Sequence, residues 1–191
     1  AAFALPILER LAKESGHGAP GAPRCIVLVP TRELAKQVHE TFRELGPKQM
    51  RSLEVYGGVP YGQQINALSR PIDVVVGTPG RVIDLMNRDI LDLSEVQYAV
   101  LDEADEMLNF GFQGQIEEMY DRMPARADRQ NLFFSATMPA FMKGLSRRYM
   151  NDFRMVDLIG EGNDAVTIPE TITLQKMLCV PGSRPKVLAA I

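Results

Sequence analysis

The chain has 191 residues, 46% hydrophobic and 24% charged, with a formal net charge of -3 and a pI near 5.5. That length and composition support one sizeable buried core, and the acidic balance excludes a uniformly basic nucleic-acid binder, so any nucleic-acid contact has to be a local patch. The two cysteines, Cys25 and Cys179, lack metal-ligand spacing and read as small buried residues in reducing, intracellular surroundings, and no apolar run is long enough to span a membrane.

Residues 3–14 read as an amphipathic helix with Leu8, Leu11 and Ala12 on one side. A Gly/Pro-rich loop follows over 15–23, then a strand over 25–29. A helix over 31–45 is stopped by Gly46-Pro47. Residues 53–56 form a strand broken by Gly57-Gly58, and a helix covers 61–68. A strand over 72–76 leads through a tight turn at 77–80 into a helix ending near Arg88. A strand at 97–101 is followed by helical segments at 103–109 and 113–122. Residues 131–134 form a strand, 139–149 a helix with Pro139 in its first turn, and 153–158 a last strand. His17, in the loop, and His39, among charged residues, read as solvated imidazoles.

Strands alternate with helices, and most strands are apolar without a period of two. That pattern predicts an α/β fold with a parallel sheet covered on both faces. In such a sheet, ligands bind beyond the C-terminal ends of the strands. The notable polar segments all fall at such ends. Asp102-Glu103-Ala104-Asp105 follows the apolar run Tyr98-Ala99-Val100-Leu101, and Ser135-Ala136-Thr137 follows Leu132-Phe133-Phe134. Pro30-Thr31-Arg32, Gly57-Gly58 and Thr78-Pro79-Gly80-Arg81 follow three other runs. Carboxylates at a strand end suit a divalent cation and an attacking water, and hydroxyls, bare backbone and arginines at helix starts suit phosphate. Each segment also has a plain structural alternative. The acids and hydroxyls can cap helices, Arg32 can form a surface salt bridge with a neighbour such as Glu33, and Gly57-Gly58 can be a simple turn.

Four of these segments, Pro30-Thr31-Arg32-Glu33-Leu34-Ala35, Thr78-Pro79-Gly80-Arg81, Asp102-Glu103-Ala104-Asp105 and Ser135-Ala136-Thr137, taken in their order along the chain, resemble the DEAD-box RNA helicase family. The resemblance implies a RecA-like doubly wound parallel sheet over residues 1–159, an interdomain linker over 160–170, and the first strand and helix start of a second RecA-like domain over 171–191. It implies ATP and Mg²⁺ as cofactors, with Asp102 holding Mg²⁺ through water and Glu103 orienting or deprotonating the attacking water. Asp105 would bind Ser135 and Thr137, which couple nucleotide state to RNA. Pro30, Thr31, Arg32, Gly57, Gly58, Thr78, Gly80 and Arg81 would grip the RNA sugar-phosphate backbone without reading sequence, and the helix from Val82 to Arg88 would act as a wedge. Few aromatics and no Trp predict backbone gripping rather than base stacking.

The phosphate-cradling pattern Gly-x-x-x-x-Gly-Lys-Ser/Thr does not occur in the 191 residues. In the family it directly precedes a helix resembling residues 1–10, so this piece alone is expected to be inactive. The resemblance implies an RNA-stimulated ATPase that remodels short duplexes or ribonucleoprotein particles. The alternatives are a non-enzymatic RNA or ribonucleoprotein scaffold, and a DNA-directed motor or general P-loop ATPase. Val156-Asp157-Leu158-Ile159-Gly160 resembles the nucleolar RNA helicase 2 subgroup and its organellar relatives. That similarity implies ribosome assembly, pre-ribosomal protein partners, and a nucleolar, mitochondrial or plastid location.

Overall fold

A computed structural model describes residues 2–14 and 16–157. Five strands build one sheet: β1 (Cys25–Leu28), β2 (Ser52–Val55), β3 (Val74–Gly77), β4 (Tyr98–Leu101) and β5 (Gln130–Phe133). Their spatial order is β2-β3-β1-β4-β5, and every neighbouring pair is parallel. The helices are α1 (Ala4–Lys13), α2 (Arg32–Leu45), α3 (Tyr61–Leu68), α4 (Pro79–Asn87), α5 (Ala104–Asn109), α6 (Gln113–Asp121) and α7 (Ala140–Tyr149).

Successive side chains of a strand point to opposite faces, and here each face carries its own core. Cys25, Val27, Val74, Val76 and Val100 pack with Leu8 and Leu11 of α1 and Val38 and Phe42 of α2. Ile26, Leu28, Val75, Ala99 and Leu101 pack with Val82 and Leu85 of α4, Met107 of α5, Ile116 and Met119 of α6, and Leu145 of α7. Both faces are covered, so β1, β3 and β4 are buried at every position. This is why their sequences are continuously apolar. Each fully buried Val, Leu or Ile side chain contributes about 1.5–3 kcal/mol.

Gly77 closes β3 where the sheet meets α4. A Cβ there would lie 2.6 Å from Cγ2 of both Val55 and Val82 and 2.9 Å from the Val55 carbonyl oxygen. Valine side chains are stiff, so the neighbours yield poorly. Gly77→Ala is expected to lower stability by about 1–3 kcal/mol, read as an earlier urea midpoint; an unchanged midpoint would show that the seam has slack.

At the N-terminal ends of the strands, Asp73 is completely buried. Its carboxylate accepts from His17 Nδ1 at 2.9 Å, Arg51 N at 2.9 Å, Gly18 N at 3.1 Å and Arg24 Nη2 at 3.1 Å. Burial pushes the carboxyl up. The four donors outweigh that and hold it below the usual carboxylate range. His17 is therefore a partner of a buried acid rather than a free imidazole. His39 also departs from expectation, with its Nδ1 3.4 Å from Glu54 and its Nε2 buried.

Most element ends fall within one or two residues of the sequence reading, and two readings differ in kind. Pro139 is the N-cap of α7 instead of lying in its first turn; the first-turn proline is Pro79 of α4. The strand expected over 153–158 is absent over 153–157, and Leu158 lies outside the described residues. Apolar residues make a strand only where a neighbouring edge supplies hydrogen bonds, a condition that local composition does not report. One compact unit runs through Phe153. The expected linker at 160–170, the segment 171–191 and Cys179 fall outside the described residues; Cys25 is buried, as expected.

Candidate functional site

Because all five strands are parallel, their C-terminal ends share one rim. Following the sheet, that rim carries Gly57-Gly58 after β2, Thr78 to Arg81 after β3, Pro30 to Arg32 after β1, Asp102 to Asp105 after β4, and Ser135 to Thr137 after β5. Segments far apart in sequence thus become neighbours in a fixed order. β1 lies at the switch in winding direction, where crevices open in doubly wound sheets.

The ends of β2, β3 and β1 enclose an open groove of about 720 Å³. Pro30, Thr31, Arg32, Gly57, Gly58, Thr78, Gly80 and Arg81 all line it. Thr31 Oγ1 caps α2 by accepting from Leu34 N at 3.3 Å. The amides of Arg32 and Glu33 have no acceptor within the helix, and both residues border the groove. Gly58 has φ +81°, and the Arg32 guanidinium lies 2.6 Å from where a Cβ would stand. Any side chain there is strained by the positive φ, and the flexible Arg32 tip would have to move aside. A Cβ at Gly57 or Gly80 would meet no protein atom within 4 Å, so internal packing does not demand glycine at either place.

Arg32 is exposed, as a phosphate ligand should be. Arg81 is not. It is 7% exposed, Nη1 donates to Gln64 Oε1 at 3.0 Å, and Nη2 donates to the Val59 carbonyl at 3.1 Å. Its guanidinium sits 4.0 Å from the Tyr61 ring centroid. Arg81, expected among the RNA-gripping residues, lines the groove with these two donors turned inward. Sequence reasoning also missed Tyr61, Gln64 and Phe112. Tyr61 and Phe112 border the groove, although the low aromatic content had suggested no aromatic surface there.

Beyond β4, Asp102 is half-buried and Glu103 exposed. Burial pushes the Asp102 carboxyl above its usual value, against the hydrogen bond its Oδ1 accepts from Glu103 N at 3.1 Å. Glu103 is left-handed, with φ 52° and ψ 50°. For a residue with a side chain this conformation costs about 1–2 kcal/mol. It turns the chain sharply from strand to helix, and main-chain bonds hold it in place. Asp102 N donates to Leu28 O at 3.0 Å, and Ala104 N to Phe134 O at 3.0 Å. Asp105 Oδ2 accepts from Thr137 N at 3.0 Å and Thr137 Oγ1 at 2.9 Å. Burial raises the Asp105 carboxyl, but the Thr137 and Ser135 hydroxyls and the Thr137 amide outweigh it and leave it below its usual value. Ser135 Oγ is buried without a partner at hydrogen-bonding geometry.

Residues 1–144 match the sequence model of the DEAD/DEAH box helicase family. The chain belongs to that family. Every candidate site residue lies within the matched span. Among DEAD-box relatives, a mitochondrial ATP-dependent RNA helicase of Arabidopsis thaliana is 48% identical over 163 residues, covering 85% of this chain and 26% of the relative. A chloroplastic one of Zea mays is 46% identical over 187 residues, covering 93% of this chain and 25% of the relative. The chain thus spans about a quarter of the length of these relatives. A DEAD box protein from Methanococcus jannaschii superimposes with a TM-score of 0.70 at 40% identity, covering 80% of this chain and 40% of that one. The yeast DEAD-box splicing factor Prp28 gives a TM-score of 0.70 at 29% identity, covering 78% and 36%. The fold is the RecA-like α/β sheet of DEAD-box proteins.

Proposed function

We propose that this chain is part of an ATP-dependent RNA helicase in which one rim of the sheet grips RNA and hydrolyses ATP side by side. The observation carrying this reading is the order along the rim: a groove of hydroxyls, open glycines and Arg32 lies on one side of the β1–β4 boundary, and acids and hydroxyls on the other. Glu103 would orient the attacking water and accept its proton. Asp105 would tie Thr137 to the acids, so that the β5 end moves with the β4 end. Arg32, with the main chain of Gly57, Gly58, Thr78 and Gly80, would hold the sugar-phosphate backbone. The free space over Gly57 and Gly80 supports close approach of a ligand.

The acids fit Mg²⁺. It takes few protein ligands and keeps its waters, and Asp102 stands half-buried at the end of β4 with Glu103 exposed beside it. Asp102 would hold it through water, and the ion supplies charge neutralisation at phosphate oxygens.

A scaffold without turnover is less well supported. Left-handed Glu103 is a destabilising conformation at the end of the strand that carries the acids, and such strain clusters at reacting sites. The relatives named mitochondrial and chloroplastic favour an organellar RNA substrate; their names lend nothing to the nucleolar alternative. Within this reading the 191-residue piece by itself does not turn ATP over.

The test is RNA-stimulated ATP hydrolysis by the full-length protein, with RNA binding followed across salt concentrations. Arg32→Ala is expected to weaken binding about equally for all RNA sequences and to reduce the salt slope by about one. A loss confined to particular sequences would contradict backbone gripping.

A further inference from the structure

The Gly57-Gly58 turn and the Thr78–Arg81 turn leave neighbouring strands and form two walls of the groove. The last main-chain bond between those strand ends is Thr78 N to Val55 O at 3.0 Å. Beyond it, side chains take over. Gln64, 5% exposed, uses both ends of its amide. Its Nε2 donates to the Tyr56 carbonyl at 3.2 Å, next to Gly57, while its Oε1 accepts from Arg81 Nη1 at 3.0 Å. Arg81 Nη2 reaches the Val59 carbonyl at 3.1 Å, on the other side of the glycines. The turn is therefore held at both its shoulders by one amide–guanidinium pair rooted in α3 and α4.

Tyr61 completes the clamp. Its ring carries Arg81 at 4.0 Å and Arg88 at 4.6 Å, and its hydroxyl donates to Asp84 of α4. The Asp84 carboxyl is held below its usual value by Tyr61 and Arg88. Arg81 has no carboxylate at ion-pair distance among the described residues. Two of its five N–H donors are directed at neutral oxygens inside the protein, Gln64 Oε1 and the Val59 carbonyl. A planar fork reaching two oxygens in different directions is a task an ammonium group performs poorly.

We propose that Gln64 and Arg81 are a positioning pair that sets the spacing of the two groove walls, and that Arg81 orients the RNA-gripping backbone rather than binding phosphate itself. This rests on the reading that the groove holds RNA. A positioning pair and a phosphate ligand differ in salt dependence. Removing a phosphate ligand lowers the salt slope by about one, whereas loosening a wall lowers affinity with the slope unchanged.

The experiment uses the full-length protein, a fluorescent uridine oligonucleotide and a non-hydrolysable ATP analogue, with anisotropy recorded across salt concentrations. Gln64→Met is expected to weaken binding about tenfold, as loss of buried hydrogen bonds predicts, at the wild-type slope. Arg81→Lys keeps the charge yet is expected to lose about as much. The double variant is expected to be no weaker than the weaker single one, because the two residues act as a unit. In ATPase assays the RNA concentration for half-maximal rate rises about tenfold, while turnover at saturating RNA changes far less. Gln64→Glu, which keeps the acceptor for Arg81 and loses the donor to Tyr56, gives an intermediate loss and serves if Gln64→Met fails to fold. The proposal is overturned if wild type binds and the Gln64 variants bind equally well, or if Arg81→Lys retains affinity while Arg81→Ala lowers the slope by about one. A wild-type protein that binds no RNA overturns the functional reading itself.

Discussion

Glu103→Gln in the full-length protein is expected to reduce RNA-stimulated ATP turnover by about 10²–10⁴-fold, the usual contribution of a positioned general base. Glutamine matches glutamate in size and still hydrogen-bonds, but takes no proton from water. Neighbouring supports do not depend on the Glu103 carboxylate. Asp102 Oδ1 accepts from the residue 103 amide, and Asp105 is bound by Thr137. ATP and RNA affinities should therefore stay near wild type while the chemical step fails. Single-turnover hydrolysis with pre-bound ATP and RNA isolates that step. A wild-type rate in the variant would remove Glu103 from the chemistry and with it the proposed division of labour along the rim.

The second large effect lies at the opposite rim. Asp73→Asn is expected to cost about 3–5 kcal/mol, the usual result of breaking a buried ion pair. Asp73 is fully buried, and Arg24 is 8% exposed. With the carboxylate gone, Arg24 keeps only Glu14, at 3.4 Å and partly in water. An asparagine would also set an N–H₂ against some of the four donors. A loss of that size is a large share of the roughly 5–15 kcal/mol that holds a domain together, and urea unfolding would show it directly. The site has a pH signature as well. The folded carboxyl is held below its usual value, so its stabilisation is complete above the unfolded value, about 3.9, and is lost as pH falls through the folded value. Wild type should lose stability below about pH 4, and Asp73→Asn should lack that part of the acid limb. Equal acid limbs in the two proteins would show that Asp73 is not the group responsible.

Much of the rim was readable from residue order, because each polar segment directly follows an apolar run and a parallel sheet places such positions together. Asp102, Glu103, Asp105, Thr137 and Arg32 stand at the strand ends where the sequence put them. What escaped depended on side-chain direction. Arg81 follows a strand just as Arg32 does, yet it turns inward because α3 brings Gln64 within reach. Gln64 carries no titratable chemistry and sits mid-helix, so no motif marks it. The Asp73 cluster joins residues 17, 18, 24, 51 and 73, a convergence visible only once β3 and the preceding loops are placed. His17 looked solvated for that reason. The strand expected near 153 failed on a related point: apolar composition is local, and pairing is not.

The left-handed backbone at Glu103 sets the needs of the reaction against those of durability. Glycine adopts that geometry freely, so the substitution that abolishes the proposed proton acceptor would also relax the bend. Selection for robustness alone would drift towards the sturdier, silent form. A carboxylate at this corner is what the proposed hydrolysis requires.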